Sequence, residues 1–228
     1  MITRISKAMV LAAGKGERMR PLTDTCPKPL LKIKGKALIE YSIEKLKRAD
    51  VVDLVINISH FGQMIQDYLG DGSRYGVNIR YSWEDQPLET GGGIAKAMPL
   101  LCRDNEHPFL LVNSDVWCDL DLSLLTLALK KNRLAHLVLV KNPEHNVKGD
   151  FALQDNLVKQ LTEASQGFTY SGIAVIDPQL FRRYQPNKEK FPLRDLLMQA
   201  IQQQEVSGEM YDGQWVDVGT PERLQSLA

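Results

Sequence analysis

The stretch LAAGKGERMRPLTDTCPKPL, residues 11–30, decides the fold that the sequence predicts. It starts at the end of an apolar run, residues 8–13, and enters a loop that contains Gly14 and Gly16. Glycine lets backbone N–H groups approach a ligand closely and form a concave anion site. Positive charge in and after the loop comes from four side chains: Lys15, Arg18, Arg20 and Lys28. A strand leading into such a loop predicts a phosphate-binding site and therefore nucleotide chemistry.

The loop departs from the two best-known phosphate-binding motifs. Gly14 and Gly16 give G-x-G, but Met19 stands where the third glycine of a dinucleotide-binding turn would be. The sequence contains no G-x-x-x-x-G-K-[ST] run, so it has no P-loop. From the loop residues alone, a phosphate site and an ordinary turn after a strand are both open.

Composition narrows the class of protein. The chain has 228 residues, 43% of them hydrophobic, which is enough for one well-buried domain or two small ones. Its 28 basic and 28 acidic residues balance, which argues against a nucleic-acid partner because nucleic-acid binders usually have a basic excess. The three cysteines lack C-x-x-C spacing, which argues against a disulfide framework or a zinc site and favours the cytoplasm. No apolar stretch approaches the ~20 residues of a membrane span, so we expect no membrane association.

Short apolar runs alternate with helical patterns along the chain. The runs are continuous, as in strands covered on both faces, and occupy residues 8–13, 52–58, 109–112 and 137–140. Leucine and isoleucine recur at helical spacing in residues 38–46, 122–129 and 193–201. This alternation predicts an α/β fold with a doubly wound, Rossmann-like mixed sheet that is mostly parallel. Ligands of such sheets bind beyond the carboxyl ends of the strands.

The second half of the chain is richer in strand patterns. Residues 149–153, 170–176 and 214–218 are predicted to be strands that wall one side of the site. A short helix is predicted over residues 220–227, with Thr220 as its N-cap and Pro221 at its first position. We expect a single domain over residues 1–228.

Two motifs resemble the sugar-phosphate nucleotidyltransferase family. The first, L-A-x-G-x-G-x-R-x-x-P-L-T…P-K-P-L, is matched within residues 11–30. The second, W-x-D-x-G-T-P, is matched by residues 215–221. The resemblance covers nearly the whole chain. It implies a nucleotide half, about residues 1–118, and a sugar-binding half, about residues 119–228.

The resemblance also implies a reaction and its residues. A sugar 1-phosphate attacks a nucleoside triphosphate and pyrophosphate leaves, with Arg18 and Lys28 as the catalytic cations. Asp115 and Asp217, each at a strand end, would hold one Mg²⁺ through hard oxygen ligands. The residues expected to contact the nucleotide lie in the loop and in the segment that reads the nucleobase. They are Ala13, Gly14, Gly16, Glu17, Arg18, Lys28, Glu84, Gly91 and Gly92. From the residues alone, each of the two aspartates could also be an ordinary turn residue before a helix.

The resemblance points to a substrate pair. Guanylyltransferases of the family tend to have P-L-G-T-A-G, whereas this chain has P-L-E-T-G-G-G, with Glu89 at the first glycine. This departure argues against GTP, and the chain resembles the short bacterial N-acetylmuramate 1-phosphate uridylyltransferases of cell-wall (peptidoglycan) recycling. The expected partners are therefore UTP and a sugar 1-phosphate, with the enzyme a monomer or a small homo-oligomer.

The sugar side is implied by residues that match positions where relatives hold the sugar: Asn113, Gly149, Asp150, Glu163 and Gly172. Many relatives carry a lysine after the glutamate, but Ala164 follows Glu163 here. Mannose-1-phosphate guanylyltransferase and glucose-1-phosphate thymidylyltransferase activity are alternatives. A non-catalytic nucleotide-sugar sensor is an alternative of another class.

Overall fold

The computed structural model describes residues 4–102, 107–127, 129–184 and 186–227. Its strands are β1 Lys7–Leu11, β2 Lys32–Ile33, β3 Lys36–Ala37, β4 Asp53–Ile58, β5 Asn78–Trp83, β6 Phe109–Asn113, β7 Val116–Cys118, β8 Ala135–Val140, β9 Phe151–Gln154, β10 Leu157–Lys159, β11 Gly167–Ile176, β12 Val206–Met210 and β13 Trp215–Asp217. Its α-helices are α1 Leu38–Arg48, α2 Gly62–Leu69, α3 Glu89–Leu101, α4 Gln179–Tyr184, α5 Leu193–Gln202 and α6 Pro221–Gln225.

A nine-stranded mixed sheet runs through both halves of the chain in the order β5-β4-β1-β6-β11-β8-β12-β10-β9. The strands β5, β4, β1 and β6 pair in parallel, as do β8 and β12. Long β11 joins the two parallel parts by pairing antiparallel with both β6 and β8. The predicted α/β fold with a mixed sheet is confirmed, and the parallel pairing lies mainly in the first half.

Apolar residues on successive strand positions pack on opposite faces of the sheet. In β1, Val10 packs with α1 and α2, whereas its neighbour Met9 packs with α3 and α5. Side chains alternate along a strand, so a continuous apolar run covers both faces at once. Helices on both sides make the sheet doubly wound, as its apolar runs predicted.

The predicted helix over residues 122–129 is instead a 3₁₀ helix, Leu122–Leu127, with residue 128 outside the described residues. The carboxylate of Asp121 accepts a hydrogen bond from the backbone N–H of Ser123 (2.9 Å), and the Thr126 hydroxyl donates to the Ser123 carbonyl (2.8 Å). Such local bonds compete with the α-helical ladder. Leu122 and Leu125 are buried, three residues apart, which suits the tighter helix.

A separate two-stranded sheet connects the two halves. Antiparallel β7 and β13 pair Asp217 with Val116, and the carbonyl of Asp115 accepts a hydrogen bond from the N–H of Val218 (2.8 Å). Asp115 and Asp217, 102 positions apart in the sequence, are thereby brought to adjacent places in the fold. Within the described residues, no helix has the length and apolar character needed to cross a membrane.

Candidate active site

A cavity of about 640 Å³ opens at the carboxyl ends of β1, β4 and β6. Its lining includes the predicted residues Ala13, Gly14, Gly16, Glu17, Arg18, Lys28, Glu84, Asn113 and Asp115. The predicted residues outside this lining are Gly91, Gly92, Gly149, Asp150, Glu163, Gly172 and Asp217. The cavity lies where parallel α/β sheets bind ligands.

The two glycines of the loop have different physical roles. Gly16 has a φ of +67°, and a Cβ there would lie 3.0 Å from the Thr23 side chain, whose hydroxyl donates to the Gly16 carbonyl (2.8 Å). Gly16 therefore serves the folding of the loop. A Cβ on Gly14 would meet nothing within 4 Å, so the space beside Gly14 is open to a ligand.

The loop carries exposed cations on one side of the cavity. Arg18 belongs to a short 3₁₀ helix, Glu17–Met19, which is anchored by the fully buried Met19. The side chains of Lys15 and Arg18 are exposed and line the cavity. This arrangement sets mobile positive charge on a fixed backbone, which suits the binding of polyphosphate.

Lys28 and Asp115 form an ion pair at the floor of the cavity. Lys28 begins a 3₁₀ helix after Pro27, and its Nζ contacts Oδ2 of Asp115. The Lys28 side chain is only 11% exposed, so its ammonium group is held in one place rather than free in solvent. A fixed charge of this kind stabilises a transition state without reorganisation.

Asp217 is held by two basic side chains. Its Oδ1 contacts Nη1 of Arg223, the third residue of α6, and lies 3.2 Å from Nε2 of His145. The same His145 nitrogen is 2.9 Å from Arg223 Nη1. A Cβ on Gly219 would lie 3.3 Å from Asp217 Oδ2, and Gly219 lines the cavity. Neither His145 nor Arg223 was predicted to be functional, because the histidine shows no nucleophile or metal spacing and the arginine lies just beyond the W-x-D-x-G-T-P motif.

The donor set fits a hard divalent cation. Asp115 and Asp217 supply carboxylate oxygens, and β7 and β13 bring their backbones together. Within the part of the chain that the structure describes, no group of three or more metal-ligating side chains is found. Mg²⁺ typically takes one or two carboxylates and completes its octahedron with water and phosphate oxygens. The pair of aspartates fits this pattern, and in each of them the ion pairs use one of the two carboxylate oxygens.

A buried polar chain at the cavity joins the predicted residue Glu84 to Asn57, which was not among the predicted site residues. Asn57, at the end of β4, accepts from the N–H of Ala12 (2.9 Å) and donates to Glu84 Oε1 (2.7 Å). Glu84 Oε2 in turn accepts from the N–H of Leu88 (2.8 Å). Glu84 thus uses both carboxylate oxygens to fix the loop before α3. The sequence feature that could have indicated this chain is the polar Asn57 inside the apolar run 52–58, because a buried polar group needs hydrogen-bond partners.

The glycines at the start of α3 pack against the protein itself. A Cβ on Gly91 would lie 2.5 Å from the Phe191 ring, and one on Gly92 would lie 2.2 Å from the Glu189 carbonyl. The N–H of Gly92 already donates to the Phe191 carbonyl (3.0 Å). The close approach that requires glycine here is therefore made by residues 189–191, rather than by a ligand as the sequence suggested.

The predicted sugar-side residues fall into two places. Gly172, with a φ of +81°, is close to Asn113, since a Cβ on Gly172 would lie 2.8 Å from Asn113 Nδ2. Glu163 instead lines a separate cavity of about 910 Å³ in the second half. Gly149 lies next to Phe168 in the lining of that second cavity, since a Cβ on Gly149 would be 2.6 Å from the Phe168 backbone nitrogen.

Asp150, another predicted sugar-side residue, makes a partly buried contact with Tyr170. The Asp150 carboxylate accepts a hydrogen bond from the N–H of Tyr170 (2.8 Å), so this oxygen stabilises β11 instead of being open to a ligand. Burial raises the pKa of Tyr170, which keeps its hydroxyl protonated. Within the described ranges, that hydroxyl has no hydrogen-bond partner.

Comparison with known proteins assigns the family. The nucleotidyl transferase family model matches residues 7–228. The chain belongs to the nucleotidyl transferase family. It is therefore an enzyme, and the cavity with its loop cations and Asp115 is the candidate active site of a nucleotidyl transferase.

Curated relatives of this nucleotidyl transferase include two named sugar-phosphate enzymes. The chain is 46% identical to the N-acetylmuramate alpha-1-phosphate uridylyltransferase of Neisseria meningitidis, over 96% of the chain and 95% of the relative. It is 32% identical to the mannose-1-phosphate guanyltransferase of Yarrowia lipolytica, over 96% of the chain but only 62% of the relative.

A solved structure supports the fold. A putative glucose-1-phosphate thymidylyltransferase from Bacillus anthracis superposes with a TM-score of 0.85 over 97% of this chain and 93% of the other. Its sequence identity is 19%, so the likeness shows that the two nucleotidyl transferases share a fold.

Proposed function

We propose that the chain catalyses the Mg²⁺-dependent transfer of a uridylyl group from UTP to N-acetylmuramate 1-phosphate, which yields UDP-N-acetylmuramate and pyrophosphate. The observation that carries this proposal is the cavity in which the loop cations face the Lys28–Asp115 pair. The 46% identity to a uridylyltransferase over nearly both full lengths supports the choice of substrates. The proposal includes a cytoplasmic role in peptidoglycan recycling and a monomer or small homo-oligomer.

The proposed step is an in-line substitution at phosphorus. An oxygen of the sugar 1-phosphate forms a bond to the α-phosphorus of UTP, while the bond from that phosphorus to the bridging oxygen breaks. Pyrophosphate leaves with the electron pair. Such reactions depend on positioning and on charge stabilisation more than on proton transfer. In this scheme Arg18 contacts the β- and γ-phosphates, and the buried Lys28 contacts the α-phosphate and the attacking phosphate.

Asp115 and Asp217 would hold the Mg²⁺ ion. When bound, the ion supplies positive charge to phosphate oxygens. Asp115 also orients Lys28 through their ion pair, so that one carboxylate positions the lysine at the floor of the cavity. Gly14, with open space beside it, lets the triphosphate lie close to the backbone of the loop.

Glu89 supports the choice of a pyrimidine nucleotide. It begins α3, is exposed and lines the cavity, and its φ is +62°. Non-glycine residues rarely adopt this conformation, and strain of this kind concentrates at functional sites. Of the eight described non-glycine residues with a positive φ, Glu89 is the one that lines this cavity, so its carboxylate is placed to meet a ligand. We assign Glu89 to discrimination between nucleobases.

A second candidate is mannose-1-phosphate guanylyltransferase activity, which the Yarrowia lipolytica relative favours. Thymidylyl transfer to glucose 1-phosphate has weaker support, since its structural neighbour is 19% identical. The sensor alternative is disfavoured because Arg18, Lys28, Asp115 and Asp217 are all present.

The test is pyrophosphate release from a matrix of substrates with Mg²⁺. UTP, dTTP, GTP and CTP are each paired with the 1-phosphates of N-acetylmuramate, N-acetylglucosamine, glucose and mannose. We expect turnover with UTP and N-acetylmuramate 1-phosphate to exceed every other pair. Preference for GTP with mannose 1-phosphate would overturn the substrate assignment and keep the mechanism, and no turnover from folded protein would overturn both.

A further inference from the structure

Arg223 is a largely buried cation with only part of its donor capacity used. Its side chain is 20% exposed, and its recorded side-chain contacts, to Asp217 and His145, are all made through Nη1. A guanidinium group has five N–H donors. Over the residues that the structure describes, Nη2 has no hydrogen-bond partner. Nη2 is open to solvent rather than sealed in the interior, so its donors are available to a ligand.

The free nitrogen of Arg223 lies at the boundary between two cavities. A Cβ on Gly219 would lie 2.3 Å from Nη2, so the guanidinium packs directly against Gly219. Gly219 lines the cavity of the loop cations. Arg223, His145 and Asp217 line a neighbouring cavity of about 430 Å³, which extends from the end of β8. Nη2 therefore lies next to a lining residue of the first cavity, while Arg223 itself lines the second.

The position of Arg223 suits the second of two anionic substrates. The loop cations and Lys28 belong to the first half of the chain and surround one side of the reaction centre. Arg223 comes from α6 in the second half of the chain and contacts Asp217, one of the two proposed metal ligands. Two phosphate groups must approach each other during transfer, and their repulsion requires positive charge on both. Arginine is suited to phosphate because its planar fork presents paired N–H donors.

We propose that Arg223 binds the phosphate group of the sugar 1-phosphate through Nη2, in an inference that rests on the proposed function. Nη1 remains on Asp217, so a single guanidinium links the acceptor phosphate to the carboxylate beside it. Gly219 permits this geometry because any larger residue would displace the guanidinium. Arg223 is thus a binding residue for the acceptor, and it carries no covalent step.

The experiment compares Arg223→Ala and Arg223→Lys with the wild type. KM is measured for each substrate of the best pair found in the substrate matrix, and free sugar without phosphate is measured as a competitive inhibitor. We expect Arg223→Ala to raise KM for the sugar 1-phosphate at least tenfold, with less than a twofold change in KM for the nucleotide. The inhibition constant of the free sugar should stay within twofold of the wild type, because the lost contact is to the phosphate. Arg223→Lys should recover part of the loss.

Gln225→Ala, an exposed change in the same helix, is the control and should behave as wild type. If Arg223 only holds Asp217 in place, Arg223→Ala will lower kcat and raise the Mg²⁺ requirement, with KM for the sugar 1-phosphate unchanged. That pattern would overturn the inference, as would equal loss for both substrates. Use of the best pair keeps the test valid if the sugar is not N-acetylmuramate. If no pair is turned over, equilibrium binding of N-acetylmuramate 1-phosphate is compared between wild type and Arg223→Ala, and equal affinities overturn the inference.

Discussion

Single residues in strained or fully paired environments give the sharpest tests of the site. Glu89 adopts a φ of +62° at the start of α3, where glycine would fit without strain. We expect Glu89→Gly to raise the free energy of unfolding by about 1 kcal/mol, because relief of about 1–3 kcal/mol of strain is partly offset by the freedom of glycine in the unfolded chain, about 0.4–1 kcal/mol. The preference for UTP over GTP should fall. Urea unfolding and KM for the two nucleotides measure these effects. Glu89→Gln keeps the strained backbone and is the control for stability.

If Glu89→Gly stabilises the protein and leaves the nucleotide preference unchanged, Glu89 has no part in discrimination. The combination of gained stability and lost specificity is diagnostic, because a purely structural residue would not give both. Sites that depend on strain commonly gain stability when the strain is removed.

Glu84 provides a second test at the residue scale. Both its carboxylate oxygens accept hydrogen bonds, from Asn57 Nδ2 and from the N–H of Leu88. Glutamine at this position would present an NH₂ group to one of these donors, so we expect Glu84→Gln to destabilise the fold by about 1–3 kcal/mol. Asp85→Asn, an exposed change next to it, should be neutral. Equal stabilities of the two variants in urea unfolding would contradict the buried network.

At the scale of elements, the glycines of α3 and of the loop differ in what surrounds them. A Cβ at position 92 would lie 2.2 Å from the Glu189 carbonyl, a backbone atom that cannot rotate away, whereas one at position 14 would meet nothing. We expect Gly92→Ala to destabilise the protein by about 1–3 kcal/mol. Gly14→Ala should leave stability unchanged and raise KM for the nucleotide, because its methyl group occupies the ligand's space.

Thermal unfolding and steady-state kinetics of the two alanine variants distinguish these roles. Loss of stability in Gly14→Ala would mean that its glycine serves the loop rather than the ligand. Normal stability in Gly92→Ala would mean that residues 189–191 move easily, and the packing explanation would be wrong.

The same elements show what could be predicted from the sequence. The apolar runs predicted the doubly wound sheet because alternation along β1 buries Val10 and Met9 on opposite faces. The predicted nucleotide loop lines the cavity because it follows directly from the buried strand β1. The contacts of Asn57 and Arg223 were not predicted, because no local pattern encodes them. Asn57 donates to Glu84, which is 27 residues away. Arg223 meets Asp217 only because α6 turns its side chain back toward β13. The glycines of α3 predicted a ligand contact wrongly, because no local pattern shows that Phe191 packs against them.

At the scale of the whole molecule, Glu40 links α1 to the region around α2. Burial raises the pKa of Glu40, but hydrogen bonds from the Ala37 N–H and the hydroxyls of Tyr75 and Tyr68 outweigh it, so the pKa lies below its ordinary value. A carboxyl group with a lowered pKa stabilises the fold above its unfolded pKa, and this contribution is lost as the pH falls through the folded pKa.

We therefore expect Glu40→Gln to be less stable than wild type at pH 7, and the difference to shrink below about pH 4. Urea unfolding as a function of pH measures the difference. Glu44→Gln, on the same helix, removes a surface ion pair with Lys36 and should have a smaller effect that salt screens. A difference for Glu40→Gln that stays constant from pH 7 to pH 3 would contradict the assigned hydrogen bonds.

The central claim is that the cavity transfers a nucleotidyl group between two phosphates. ³¹P NMR of a reaction with UTP, N-acetylmuramate 1-phosphate and Mg²⁺ tests it most directly, with Lys28→Ala as the comparison. We predict that the sugar-phosphate signal is replaced by a diphosphodiester together with an equal amount of pyrophosphate, and that Lys28→Ala slows the conversion by about 10²–10³-fold. Release of UMP or orthophosphate without a diphosphodiester, or an unchanged rate in Lys28→Ala, would contradict the claim.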